Sequence, residues 1–193
     1  MLPEYFAVIG SVIASVGGIY YAYLTFKGRV QPNRVTWLFW SAFPLIAFAA
    51  QVSGGVGLVA WATFAAGAPP ILVLAGSLFN KEAYWQTKRI DYWFAAAGFL
   101  SVIAWQATEI PNIAFTFALL ADLLVALPTL LKAYRFPETE SWISYGVSAF
   151  GFLVAMLAVQ EWTYENYAFV AYLFLLNLIM AVLASRRPAA VVE

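Results

Sequence analysis

Apolar residues run along this chain in long uninterrupted stretches, with polar residues gathered in the gaps between them. Seven stretches approach the roughly 20 residues that an α-helix needs to cross hydrocarbon. They cover about Tyr5–Phe26, Val35–Val52, Val56–Phe79, Tyr92–Ala107, Ile113–Ala133, Trp142–Val159 and Tyr167–Ser185. The runs are too long and too uniformly apolar for the alternating strands of a membrane barrel. The gaps are short, the longest being about Asn80–Asp91, and they leave no segment for a soluble domain. The pattern predicts an all-α membrane protein with seven transmembrane helices. The first stretch lacks a basic leader and a small-residue cleavage site, so it is read as a retained helix.

Composition narrows the chemistry. Of 193 residues, 64% are hydrophobic and only 10% charged, against about 25% charged in an ordinary soluble domain. Ten Lys and Arg balance ten Asp and Glu, so no basic field exists for nucleic acid. His and Cys are both absent. Disulfides, zinc sites, cysteine nucleophiles and histidine bases are thereby excluded, and no metal or cofactor is expected. Function must come from a few polar residues set within apolar helices.

Charge orients the helices. In the seven-span reading all ten basic residues fall on one side: Lys27, Arg29 and Arg34, then Lys81, Lys88 and Arg89, then Lys132 and Arg135, then Arg186 and Arg187. The opposite gaps carry Glu4, Glu109, Glu161 and Glu165. The positive-inside rule then puts the N-terminus outside and the C-terminus in the cytoplasm, in a plasma (inner) membrane. Adding or dropping one span would scatter the basic residues over both sides. Tyr5, Trp85, Tyr92, Trp105 and Trp162 lie near span ends and read as interface anchors against membrane lipid.

The chain also repeats. A shift of 105 residues sets Lys27 on Lys132, Pro32 on Pro137, Thr36 on Ser141, Trp37 on Trp142 and Trp40 on Tyr145. Allowing a small gap, Gln51 meets Gln160. Each copy has a basic helix end, a proline-bearing loop and an aromatic helix start. The repeat predicts two parallel three-helix units, residues 1–80 and 111–193, joined by a loop and a linker helix in 81–110. Three is odd, so the fourth helix must cross for both units to face the same way.

The stretch Leu127-Pro-Thr-Leu-Leu-Lys-Ala-Tyr-Arg-Phe-Pro-Glu-Thr-Glu-Ser141 resembles the proline-bearing helix end and polar loop of the SWEET/PQ-loop transporters. Their three-plus-one-plus-three plan and outside N-terminus fit as well. The chain departs from the pattern in three places. It has no Pro-Gln dipeptide. Tyr23 stands where Pro128 stands in the second copy, and the helix-two proline, Pro44, has no counterpart in the second half. The Trp37-x-x-Trp40 pair is similar to the aromatic motif of the more distant nicotinamide-riboside carriers. The resemblance implies a small-solute carrier that works by alternating access.

Polar residues inside the spans are the candidate site. Asp122 lies near the middle of the fifth stretch, with no Lys or Arg at similar depth. A charged Asp there costs roughly 2.5–3.5 kcal/mol on insertion scales. It must hold a proton or face a wet cavity, as a proton carrier or a substrate ligand. The structural alternative is a hydrogen bond to a neighbouring helix. Asn177, mid-way along the seventh stretch, offers two donors and an acceptor to a solute, or else an interhelical hydrogen bond. It resembles the binding-site Asn that SWEET-type carriers place on their last helix. Pro69 and Pro70 remove two amide donors and free carbonyls, which line a site or mark a hinge. Pro44 and Pro128 are further hinge candidates. Trp37 and Trp142 are expected as membrane anchors, whereas Trp40 and Tyr145 lie deeper, to face the pore or close a cytoplasmic gate. Small residues at Gly10, Ala14, Gly18 and Ala22 form a stripe for close helix packing, within the unit or as a homo-oligomer contact.

The expected function is therefore transport of a sugar-like or other small polar solute. A non-transporting receptor or membrane assembly subunit is the alternative. An enzyme is not expected, since an aspartyl protease needs two carboxylates at depth and only Asp122 is there. No Lys lies mid-span to hold a retinal.

Overall fold

The computed structural model describes residues 2–53, 55, 57–107 and 111–186. Seven helices follow one another: α1 (Phe6–Phe26), α2 (Arg34–Ser53), α3 (Ala60–Phe79), α4 (Arg89–Ala107), α5 (Pro111–Arg135), α6 (Trp142–Leu157) and α7 (Tyr164–Ser185). A short 3₁₀ turn, Pro137–Thr139, bridges α5 and α6. Each helix answers one apolar run. Several boundaries move: α4 starts at Arg89 instead of Tyr92, and α7 at Tyr164 instead of Tyr167. Leu58 and Val59 form a turn, so α3 starts at Ala60 instead of Val56, which itself lies outside the described residues. Lys132 and Arg135 belong to the last turn of α5 and not to the loop after it.

The helix ends have identifiable stops. After Lys27, Gly28 takes φ +69°, a left-handed conformation open to glycine. Gly28 N–H then donates to Thr25 O (3.0 Å) and Arg29 N–H to Leu24 O (2.9 Å), the paired bonds of a Schellman cap. Asn33 Oδ1 accepts from Val35 N–H (3.1 Å) and Thr36 N–H (3.4 Å) to cap α2. Ser141 Oγ accepts from Ser144 N–H (3.3 Å) to cap α6.

Helices α1, α3 and most of α7 (Asn166–Ser185) are each long and apolar enough to cross a membrane. Their outward faces are apolar too. Val12, Val16, Leu175 and Val182 are all more than half exposed. Apolar surface of this extent is compatible with a membrane around the bundle.

The packing follows a regular plan. α3 packs on both α1 and α2, and α7 packs on both α5 and α6. Across these groups α1 packs on α6 and α2 on α5, while α3 touches α7. α4 lies against α5 and α2. The α1–α6 contact is the closest. A Cβ added to Gly10 would meet the backbone of Gly151 and Ala155, and one added to Gly151 would meet Gly10 and Ala14. Ser148 Oγ donates across this seam to Ala14 O (3.0 Å). Gly18 faces Pro69 of α3 instead. The small-residue stripe is thus taken up inside the chain by α6 and α3.

A seam of this kind has little slack. Gly151→Leu should force α1 from α6 and lower the melting temperature of the detergent-solubilised protein by about 2–12 °C, the shift that an overpacking cost of about 1–3 kcal/mol gives in a chain of this size. Gly146, on the same helix with nothing within 4 Å of an added Cβ, is the control. Gly146→Ala should leave the melting temperature unchanged or raise it, since Ala is the better helix former by up to about 1 kcal/mol.

The basic residues collect at one end of the bundle. Gln31 N–H donates to Thr139 O (3.0 Å) and Trp85 N–H to Pro32 O (3.4 Å). Asn80 Nδ2 donates to Phe26 O (2.9 Å), and Arg186 hydrogen-bonds Tyr134 O. The α1–α2, α3–α4 and α5–α6 connections and the end of α7 therefore touch one another. Every Lys and Arg among the described residues lies on these segments or on the turn of helix that borders them. At the other end Glu4 Oε1 accepts from Leu58 N–H (3.2 Å) and Gln160 Nε2 donates to Leu2 O (2.8 Å). Glu109 and Arg187 lie outside the described residues, as do the side chains of Trp105 and Glu165.

Candidate functional site

A cavity of about 70 Å³ lies within the bundle, walled by α1, α2, α3, α5, α6 and α7 but not by α4. This is several times the ~10–15 Å³ that one water needs. The sequence singled out Asp122, Asn177, Trp40, Tyr145, Pro44, Pro69 and Pro70, and all seven line this one cavity. Pro128 does not. It is buried within α5, six residues beyond Asp122.

Asp122 is 3% exposed, and its Oδ2 accepts a hydrogen bond from the Tyr172 hydroxyl (2.6 Å). This bond joins α5 to α7. The same carboxylate also lines a second cleft of about 40 Å³, where it meets Phe43 of α2, Val102 of α4 and Phe169 of α7. Asp122 therefore stands where the two spaces adjoin. The indole N–H of Trp40 lies near the carboxylate without closing a hydrogen bond to it.

Asn177 spends its amide on its own helix, donating to Leu173 O (2.9 Å). The expected interhelical bond is not made, because the i−4 carbonyl is the nearest acceptor to a side chain lying along its helix. Its carbonyl oxygen remains an acceptor at the cavity wall.

Aromatic rings form one side. Trp37 stacks edge-on to Trp40 (centroids 5.2 Å apart, planes at 81°). Tyr21 touches both Trp37 (4.5 Å) and Tyr145 (5.6 Å). Trp37 was expected as a membrane anchor, yet it is only 4% exposed and lines the cavity. The ring turns inward into a core cluster that includes Tyr21 of α1, Tyr145 of α6 and Met180 of α7. Its sequence counterpart Trp142 is 55% exposed, as an anchor should be. The indole N–H groups of Trp37 and Trp40 are buried without a protein partner. Buried donors in that condition call for a water or a ligand.

The prolines add acceptors. A proline inside a helix withholds the N–H that would reach the carbonyl four residues earlier. For Pro44, Pro69 and Pro70 those carbonyls belong to Trp40, Ala65 and Ala66, which all line the cavity. The site thus combines one carboxylate, an amide carbonyl, helical carbonyls lacking their usual donors, two indole N–H donors and several ring faces. No Lys or Arg lines it.

Sequence reasoning passed over Tyr172, Tyr21 and the pair Lys132–Glu140. Tyr172 carried a legible signal, a phenol in mid-span needing a partner for its hydroxyl. Lys132 and Glu140 carried none, since charges flanking a helix end are solvated by default. In the structure Lys132 Nζ lies 2.6 Å from Glu140 Oε1, with both side chains shielded from solvent. Glu140 Oε2 accepts from the hydroxyls of Tyr21 (2.7 Å) and Tyr145 (2.9 Å).

No family model matches the chain, and neither a curated protein nor a solved structure shows a match to it. The functional reading accordingly stands on the geometry of the site and on the sequence resemblance.

Proposed function

We propose that this protein is a seven-span carrier of a small polar solute, bound in the central cavity and released by alternating access. The observation that carries the reading is the cavity wall: six helices contribute to it, α4 does not, and Asp122 and Asn177 both belong to it. The helix pairing supports the two-repeat plan. Equating α1 with α5, α2 with α6 and α3 with α7 turns the α1–α6 contact into the α5–α2 contact, and leaves α3–α7 as its own counterpart. Two units related in this way rock about a shared axis with the site between them. α4 then serves as the linker. On the positive-inside rule, the basic end faces the cytoplasm of a plasma (inner) membrane.

The chemistry of the wall sets the solute class. Ring faces suit a sugar-like or other ring-bearing solute, whose hydroxyls or amines find acceptors in Asp122, Asn177 and the proline-freed carbonyls. The single charged group lining the cavity is a carboxylate, so anionic solutes are disfavoured. Asp122 is also the group through which any proton coupling would run.

A thermal-shift screen of sugars, nucleosides, vitamin precursors and amino acids, at pH 5 and pH 7.5, tests this reading. A solute at about 100 times its dissociation constant adds about 2.7 kcal/mol to the folded state and should raise the melting temperature by several degrees. Neutral or cationic members of the screen should give the shift and their phosphorylated or carboxylated analogues should not. Asn177→Ala should abolish it at unchanged basal melting temperature. No shift with any solute at millimolar levels, together with no flux into proteoliposomes, would replace this reading with that of a receptor or assembly subunit.

A further inference from the structure

The cavity has a floor toward the basic end, and its construction is unlike the rest of the wall. Tyr21 and Tyr145 both line the cavity. Their rings close against each other at 5.6 Å, and both hydroxyls donate to the same oxygen of Glu140. The other oxygen of Glu140 holds Lys132. Lys132 in turn donates to Gln31 O in the α1–α2 connection. It also lies 5.4 Å from the Trp85 ring centroid in the α3–α4 connection. One carboxylate and one ammonium thus fasten α1 and two connections to the end of α5 and the start of α6.

We infer that the Tyr21–Glu140–Tyr145–Lys132 cluster is the inner gate of the cavity, and that the structure is the state closed toward the basic end. The inference rests on the carrier reading above. Tyr21 comes from the first three-helix unit and the other three residues from the second. A path from the cavity to the basic end between α1 and α6 parts the two tyrosines, and so takes at least one hydroxyl from Glu140.

The physics makes such a cluster a two-state device. While dry, the ion pair is held strongly because the low dielectric magnifies the attraction and each ion lacks any other solvation. Once the tyrosines part, water reaches both ions and returns the desolvation cost that burial imposed. A partly open cluster has neither benefit. The gate is therefore either closed and dry or open and wet. The cluster occurs once. The repeat shift places Val35 opposite Glu140 and Ala126 opposite Tyr21, so the first unit has no matching lock.

The absence of Cys in the chain allows a direct test. Ala66→Cys puts a single thiol on the cavity wall. Its rate of modification by a charged, membrane-impermeant methanethiosulfonate is measured in vesicles with the basic end out and with it in. Tyr21→Phe and Tyr145→Phe each remove one hydroxyl and keep the ring, and melting temperature confirms folding. Each is expected to speed modification from the basic end at least tenfold, and to leave the rate from the opposite end unchanged or slower. The Lys132→Met/Glu140→Leu pair, which removes the charges without leaving one unpaired, should do the same. Rates that stay unchanged in all three, an unreactive thiol included, would overturn the gate. Equal acceleration from both ends would also overturn it, as loosening without direction. The readout needs no solute, so failure of the gate is separable from failure of the carrier reading in the binding screen.

Discussion

Replacing Glu140 by Ala is expected to destabilise the protein by about 3–5 kcal/mol, the cost of leaving one member of a buried ion pair without its partner. Lys132 keeps only Gln31 O and the Trp85 face, and neither neutralises an ammonium ion. The hydroxyls of Tyr21 and Tyr145 lose their shared acceptor at the same time. Lys132→Met alone should be costly for the mirrored reason, though less so, because Glu140 still accepts two hydroxyl hydrogens. The double variant Lys132→Met/Glu140→Leu should recover most of the loss, since apolar replacement of a buried pair is often neutral or stabilising. Thermal unfolding in detergent of the parent, Lys132→Met, Glu140→Leu and the double variant, taken as a double-mutant cycle, measures the coupling. A Glu140→Ala protein within about 1 kcal/mol of the parent would mean that water already reaches the cluster.

The second large effect concerns Asp122. Asn is nearly isosteric with Asp and keeps an oxygen to accept the Tyr172 hydroxyl, so Asp122→Asn should hold the fold, with a melting temperature within about 2 °C of the parent. It removes the one carboxylate on the cavity wall. A hydrogen bond to a charged group is worth about 1.5–3 kcal/mol, which corresponds to roughly 10–150-fold in affinity. A solute that donates to Asp122 should bind that much more weakly. Uptake into proteoliposomes should no longer respond to an imposed proton gradient. Asp122→Leu differs in kind: it also strands the Tyr172 hydroxyl, at about 1–3 kcal/mol of stability. Should Asp122→Asn match the parent in affinity and in its response to the gradient, Asp122 would be only the acceptor that ties α5 to α7.

How far the site could be read in advance depended on the residue. Asp122 and Asn177 stood out because polar groups are rare within long apolar runs, and rarity is a property of sequence. Trp40 and Tyr145 stood out because the repeat aligned them. Trp37 and Trp142 were aligned by the same repeat, yet one is buried and the other exposed. The repeat register says which helix position they share. It does not say which neighbour covers each, and only the core cluster gathered around Trp37 from several helices decides that. Glycine behaved in the same way. The spacing of Gly10, Ala14 and Gly18 promised close packing, but the partners, α6 for the first two and α3 for the third, are set by how the helices assemble.

The chain alone determined seven helical runs, their approximate ends, and the gathering of its basic residues on alternate connections. These are local or additive properties: hydropathy sums along a window, caps act within a few residues, and each helix reverses the chain's direction. The tertiary structure decided what no window contains. It brought Lys132 to Glu140 and Tyr21 to Glu140 across 119 residues, and paired Asp122 with Tyr172 fifty residues away. Whether a charge is solvated or buried depends on which distant segment covers it, and that is fixed only when the helices pack.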